Sequence, residues 1–398
     1  MRGLARRLEG AQVALWGAIG VAAAFGALSS NELTHRESAA AVFLGAYYVG
    51  AAAGARVAGR AMDRLGRRPG LAGGYVLLAA SGLVAFAATG AGSFGWLLVG
   101  AVILGCGSGA ALLGRGALAD MHPPDQRGRA VGRLVVMGTI GAVGGPPLGG
   151  AVHELADRLG VGSPLAAPWL LVTLLAGVGL VLVLALRPDP RELAVGPAAS
   201  GPARRPGQVL RLRPALVAVV AIAVAQAVMV TFMSVLPVVV RNHGAAPLVV
   251  SVVVSIHLAG MFALSPVVGV VLDRWGRRPG LLGGVFLSGA GVALALASEA
   301  TPVATGALFL IGVGWSAAYL GSTAVVSDAA TASERAGALG LTDLVAATAA
   351  AAGVFGGAAL LEAQGYAVLS IVALGLLLLP AVLLVRVPDR APETVVGR

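Results

Sequence analysis

The charged residues of this chain arrive in short clusters, and between the clusters the sequence runs apolar for about 20 residues at a time. Few folds accept that pattern. A helix rises about 1.5 Å per residue, so each run is long enough to cross the roughly 30 Å of hydrocarbon in a bilayer. Only 12% of the 398 residues are charged and 58% are hydrophobic. A soluble domain carries about a quarter of its residues charged, so the main solvent of this chain is lipid.

Twelve spans are expected, near residues 11–31, 38–62, 71–90, 94–119, 129–152, 166–187, 214–240, 247–272, 281–298, 302–327, 337–361 and 365–386. The opening MRGLARRLEG and the run that follows resemble a signal peptide. The run is long and many spans follow, so it reads as an uncleaved first helix. All basic residues are arginine, and they test the layout. With the N-terminus inside, the outer loops hold only Arg36, Arg158 and Arg241, while nearly all other arginines fall on inner segments. The positive-inside rule then places both termini in the cytoplasm of a cell-membrane protein.

The formal charge of +10 does not signal nucleic acid, because the arginines sit at span ends and form no single basic domain. Cys106 is the only cysteine, which rules out an intrachain disulfide or a thiolate metal cluster. Between spans six and seven, PDPRELAVGPAASGPARRPGQVLRLRP reads as a solvated linker. It divides the chain into an N-terminal six-helix bundle (1–187), a cytoplasmic linker (188–213) and a C-terminal six-helix bundle (214–398). The fold class expected is an all-α membrane protein with two pseudo-symmetric bundles.

The halves repeat one another. GRAMDRLGRRPG begins at Gly59, and GVVLDRWGRRPG begins at Gly269. Asp120 and Arg127 after span four recur, with the same spacing, as Asp328 and Arg335 after span ten. Twin halves of this kind are a transporter architecture with the route between them. Gly59 and Gly269 should let a neighbouring helix approach closely. Asp63 and Asp273 follow one turn later, with Arg67 and Arg277 four residues beyond them, beside Arg64 and Arg274. The set reads as a charge clasp at the inner surface.

The G-x-x-x-D-R-x-G-R-R-P pattern, present twice in register, resembles the signature loop of the major facilitator superfamily, and the resemblance covers essentially the whole chain. It implies alternating access by rocking of the halves. It also implies that Asp63 and Arg67 interact with Asp120, and Asp273 and Arg277 with Asp328, in a clasp that stabilises the outward-open form.

Span five contains GAVGGPPLGG, from Gly141 to Gly150. It resembles the Gly-Pro motif of proton-coupled exporters in that superfamily, with Gly141, Gly145, Pro146, Gly149 and Gly150 matching. The prolines should kink the span and the glycines should leave a close-packing face. One departure stands against the export reading: the exporters carry an arginine early in span four, and LVGAVILGCGSGAA lacks it.

A charge at bilayer depth costs about 2.5–3.5 kcal/mol on insertion scales, so each needs a reason. Asp343 in span eleven reads as the one acidic residue clearly inside a span. It is a candidate for proton coupling, with Arg56, Arg115 or Arg133 as partner. His257 in span eight is a second candidate. The resemblance places spans one, four, seven and ten around the route, which makes Gln226, Trp315 and Tyr319 the substrate-facing candidates. Asn31 and Glu32 at the outer end of span one read as merely solvated.

Such a cavity suits an amphiphilic or aromatic small molecule. The expected activity is secondary transport, with proton-coupled export first and proton-coupled uptake of a small organic metabolite as the alternative. No catalytic motif, metal-ligand spacing or lysine for an ATP-binding loop is present, so no enzyme activity, cofactor or metal is expected. A monomer whose partners are its solute, protons and lipid completes the reading.

Overall fold

The computed structural model describes residues 2–122, 124–160, 162–193, 204–331 and 334–386. Their regular structure is helical. The first half holds α1 (Arg2–Thr34), α2 (Ser38–Leu65), α3 (Arg67–Gly90), α4 (Phe94–Ala111), α5 (Gly114–Asp120), α6 (Pro124–Arg158) and α7 (Ala167–Leu184). A 3-10 turn (Pro190–Leu193) and α8 (Pro206–Leu210) lead to the second half. That half holds α9 (Arg213–Asn242), α10 (Pro247–Phe262), α11 (Ser265–Trp275), α12 (Arg277–Ala297), α13 (Thr301–Ala329) and α14 (Arg335–Val385).

Two crossings share α14. Its apolar part, Gly337–Val385, has 49 residues, which as one rod would reach roughly 74 Å. The rod breaks at Gly365, where φ is 82° and ψ 177°, a conformation that glycine adopts without Cβ strain. Twelve crossings result among the described residues. Spans four and eight, expected as single helices, are each interrupted. The chain passes from α4 to α5 at Leu112–Leu113, and from α10 to α11 at Ala263–Leu264, where Pro266 opens the new helix. By contrast, α6 runs through Pro146 and Pro147 as one helix.

Large apolar side chains face outward along the crossings. Phe286 is 74% exposed, Val181 66% and Leu378 64%. Surface of that kind is stable against lipid, not water. Inside each half, glycine brings backbones together. Gly50 and Gly54 on α2 face the Val102 and Cys106 backbone of α4, Gly105 and Gly109 on α4 face the Tyr47 and Ala51 backbone of α2, and a Cβ on Gly54 would overlap the Cys106 carbonyl. Small residues four apart on both helices allow this approach, which lets main-chain atoms pack directly in the absence of a hydrophobic drive between helices.

The repeated turns have the same backbone: φ 102° and ψ 167° at Gly66, φ 95° and ψ 163° at Gly276. In the first copy Asp189, beyond α7, accepts hydrogen bonds from the backbone N–H of Arg67 (3.1 Å) and Arg68 (2.9 Å). It thereby neutralises the positive start of α3. Arginines serve the opposite helix ends. Arg7 donates to the Ala185 carbonyl (2.5 Å) and Arg278 to the Val385 carbonyl (2.7 Å), at the ends of α7 and α14.

Ahead of α8 stands Arg204. Its guanidinium forks onto buried Glu334, with Nε 2.9 Å from Oε1 and Nη2 2.8 Å from Oε2. The backbone N–H groups of Arg204 and Thr331 also donate to that carboxylate, at 2.8 and 3.0 Å. Beside it, Val209 and Leu210 of α8 pack on Val326 and Ala338. The Arg204 fork, then the Thr331 and Arg204 amides, hold the Glu334 carboxyl well below the usual carboxylate range. A depressed native pKa contributes stability that is present at neutral pH and is lost as pH falls below the free glutamate value of about 4.3. Glu334→Gln is therefore expected to lower the unfolding midpoint at pH 7 and to flatten its decline between pH 5 and 3. Parallel wild-type and variant curves in a thermal-unfolding series would refute this assignment.

Candidate functional site

The halves meet along a seam where α1, α2 and α6 face α9, α10 and α14. One end of the seam carries the two repeated turns and is called the motif end; the other is the far end. The far end is sealed by hydrogen bonds across the seam. Asn31 donates to the Asn242 side-chain oxygen (3.0 Å), Asn242 donates to Glu37 (2.7 Å), and Ser38 donates to Glu362. Gly150 of α6 packs on Leu248 of α10, and nearer the middle Ser255 donates to the Val143 carbonyl. Asn31 is thus part of a seal, where the sequence suggested simple solvation.

The motif end differs. A Cβ on Gly59 or Gly269 would meet nothing within 4 Å. The close helix approach expected at these glycines is absent in this conformation, because the seam packs at the far end. The second clasp is assembled: Arg277 Nη1 lies 2.6 Å from Asp273, and its Nε lies 3.6 Å from Asp328. It ties α11, α12 and α13 of one half, so its formation needs no contact with the other half. Arg64 and Arg274 are exposed. The side chains of Asp63 and Asp120 lie outside the described residues.

GAVGGPPLGG forms the α6 face that meets α1 and α10. A Cβ on Gly141 would overlap the Val13 carbonyl, and one on Gly145 the Gly17 carbonyl. Pro146 fills the space over Gly20, and Gly149 faces Phe25.

Near the middle of the spans the seam encloses a cavity of about 200 Å³. Trp16, Phe43, Tyr47 and Tyr48 line it from the first half. Gln226, Met229, Met233, Met261, Phe262 and Trp315 line it from the second. The described lining residues include no charged side chain. Trp16 and Phe262 close one wall across the seam, with ring centroids 4.8 Å apart. The Trp315 indole N–H donates to the Gln226 side-chain oxygen at 2.5 Å, and the Gln226 nitrogen lies 3.5 Å from the Tyr48 hydroxyl. Tyr319 is one layer behind the wall, stacked on Trp315 at 5.1 Å.

Behind Tyr319 an ion pair bridges the seam. Arg115 of α5 donates to Asp343 of α14 at 3.1 Å and lies beside Tyr319. Of the partners considered for Asp343, the structure selects Arg115. Arg133 instead pairs with Glu9 at 2.9 Å. Glu9 is nearly buried, because α1 begins at Arg2, earlier than the expected span. Asp343 is therefore not the one acidic residue inside the bundle. His257 is fully buried, with Nδ1 2.7 Å from the Leu308 carbonyl, and it is absent from the cavity lining.

With this geometry in view, a sequence profile described as Major Facilitator Superfamily matches residues 11–240 and again 218–398. The chain belongs to the major facilitator superfamily. This facilitator is 32% identical over 384 residues to the uncharacterized MFS-type transporter YddS of Bacillus subtilis (strain 168), covering 92% of the chain and 86% of the relative. It is 27% identical over 365 residues to the riboflavin transporter RfnT of Brucella anthropi, covering 91% and 89%. Among solved structures, the xylose transporter XylE from E. coli, in a partially occluded inward-open conformation, aligns with a TM-score of 0.70 at 17% identity, covering 98% and 99%. That last likeness shows the fold alone. The facilitator is a multi-pass membrane transporter, in a family that moves small molecules.

Gln226 and Trp315, named from sequence, line the facilitator's cavity and touch each other. Trp16, Phe262 and the three methionines escaped sequence reading. A signal for two of them existed: Met229 and Met233 lie on the same α9 face as Gln226, at helical spacing.

Proposed function

We propose that this chain exports a small amphiphilic or aromatic solute across the plasma membrane in exchange for protons, working as a monomer with both termini in the cytoplasm. The observation that carries the reading is the uncharged, aromatic and thioether-lined cavity on the seam, closed at the far end. Apolar walls with one amide favour a flat, weakly polar solute over a sugar or a dianion. The riboflavin-transporter relative, which carries an aromatic heterocycle in its name, supports the same class.

Asp343 is assigned the coupling proton in preference to His257. The carboxylate crosses the seam to Arg115 and is linked through Tyr319 to the cavity wall, whereas the imidazole is enclosed beside α13. Protonation of Asp343 would free Arg115 and loosen the seam on the motif side. The open space at Gly59 and Gly269 leaves room for the opposing half when that end closes. In this scheme Asp63, Arg67 and Asp120 form the counterpart of the Asp273–Arg277–Asp328 clasp. The Gly141–Gly150 face of α6 supports export; the missing arginine in span four favours uptake as the second reading.

Inverted membrane vesicles separate the two. Export predicts that an acid-inside gradient drives an aromatic solute found by screening into the lumen, and that collapsing the gradient stops it. Accumulation only under the opposite gradient would establish uptake. Failure to move any solute in a broad aromatic screen, under either gradient, would sink the proposal.

A further inference from the structure

Gln226 has only one chemically allowed orientation. The indole N–H of Trp315 is a donor with no acceptor capacity, so the atom 2.5 Å away must be the amide oxygen. The amide nitrogen then points toward the Tyr48 hydroxyl, at a distance of 3.5 Å that leaves the N–H groups poorly satisfied. If the Tyr48 oxygen accepts from Gln226, its own proton is free to donate. The edge of Tyr48 rests against Tyr47, with centroids 5.2 Å apart, which holds that hydroxyl in place. Two donors therefore converge inside a mainly apolar cavity that Tyr47 also lines, and one lone pair of the nearest amide acceptor is already taken by Trp315.

Size narrows the class further. An apolar cavity of about 150 Å³ holds a benzene ring, so about 200 Å³ fits one ring or two fused rings. An anion finds no cation on the described lining, and a cation finds no carboxylate. We infer that the site selects neutral planar aromatic molecules bearing a hydrogen-bond acceptor, a ring carbonyl or ring nitrogen, and that Gln226, oriented by Trp315, is the residue that reads that acceptor. The inference rests on this cavity being the transport site. Trp315 acts here as a positioning residue, because it fixes which end of the amide faces the ligand.

Three bicyclic probes of similar size test it: coumarin, with a ring carbonyl; naphthalene, with no polar atom; and 2-naphthoate, an anion. Binding is read as the shift in unfolding midpoint of the full chain in lipid nanodiscs, with free concentrations corrected for partition into empty nanodiscs. Coumarin should bind roughly fivefold to tenfold tighter than naphthalene, the worth of one neutral hydrogen bond, and 2-naphthoate should not stabilise the protein. Gln226→Met should erase the preference while keeping naphthalene binding. Trp315→Phe should reduce it by freeing the amide to turn.

Equal wild-type binding of coumarin and naphthalene, no coumarin binding, preference for the anion, or discrimination that survives Gln226→Met would each overturn the inference. The wild-type ranking decides the matter even if a variant fails to fold. The predicted ranking without coumarin movement in proteoliposomes would leave the inference standing and count against the transport assignment of the cavity. Transport of many solutes with no regard for acceptors would do the reverse.

Discussion

Gly141→Leu is expected to leave almost no folded protein. A side chain at this position has nowhere to go, since its first carbon would overlap the Val13 carbonyl and press on the Gly17 amide of α1. Those atoms are main chain in a continuous helix, so relief requires α1 and α6 to part along their length. Overpacking against movable side chains costs about 1–3 kcal/mol, and a clash with backbone exceeds that. Gly144 lies one turn away on the same helix and supplies the control, because a Cβ there meets nothing within 4 Å. Gly144→Ala should keep a near-normal yield and melting temperature after purification. Similar behaviour of the two variants would mean that the α1–α6 contact is not what holds this half together.

Asp343→Asn should cut uphill transport by about tenfold or more while leaving the fold intact. The carboxylate and its Arg115 partner are each close to half exposed, at 45% and 49%, and an exposed pair contributes only ~0–1 kcal/mol to stability. Melting should therefore barely change. Asparagine mimics the protonated acid permanently, so under the proposed coupling the seam should no longer respond to a proton gradient. Gradient-driven accumulation is expected to drop by about tenfold or more, within the range of ordinary coupling energies. Exchange of solute at equal concentrations needs no net proton movement and should survive. Arg115→Gln should resemble Asp343→Asn, because it breaks the same bridge. Unaltered gradient dependence in Asp343→Asn would remove this residue from the coupling mechanism.

Much of this was legible in the sequence for simple reasons. Apolar runs and arginine clusters encode crossings directly, because lipid tolerates neither charge nor unpaired backbone. The repeated turn encoded its own geometry, since R-R-P with a preceding glycine leaves few backbone options, and Gly66 and Gly276 adopt the same one. Gln226 and Trp315 stood out because polar and indole groups are rare in such spans.

The rest depends on which helices meet. Trp16 is unremarkable within α1 until Phe262 from the other half covers it. Asn31, Glu37, Asn242 and Glu362 look like ordinary loop-edge polar residues, and only the pairing of distant helix ends gives them partners. Glu9 falls outside the first span expected at 11–31, because apolar periodicity marks where a span must begin, not how far a helix extends beyond it. The chain breaks after α4 and α10 likewise follow from tertiary fit, with Pro266 as the single local cue.

The bonds that shut the far end have a mechanical consequence. They join one amide to another, and an amide and a hydroxyl to carboxylates, and every one of these groups can be served equally well by water. A hydrogen bond to a charged group is worth about 1.5–3 kcal/mol net, and a neutral one roughly 0.5–1.5 kcal/mol. Thermal agitation can undo such bonds one at a time while incoming solvent compensates each loss. A door fastened this way needs no dedicated fuel to swing, and whatever binds inside need only bias which side stands ajar.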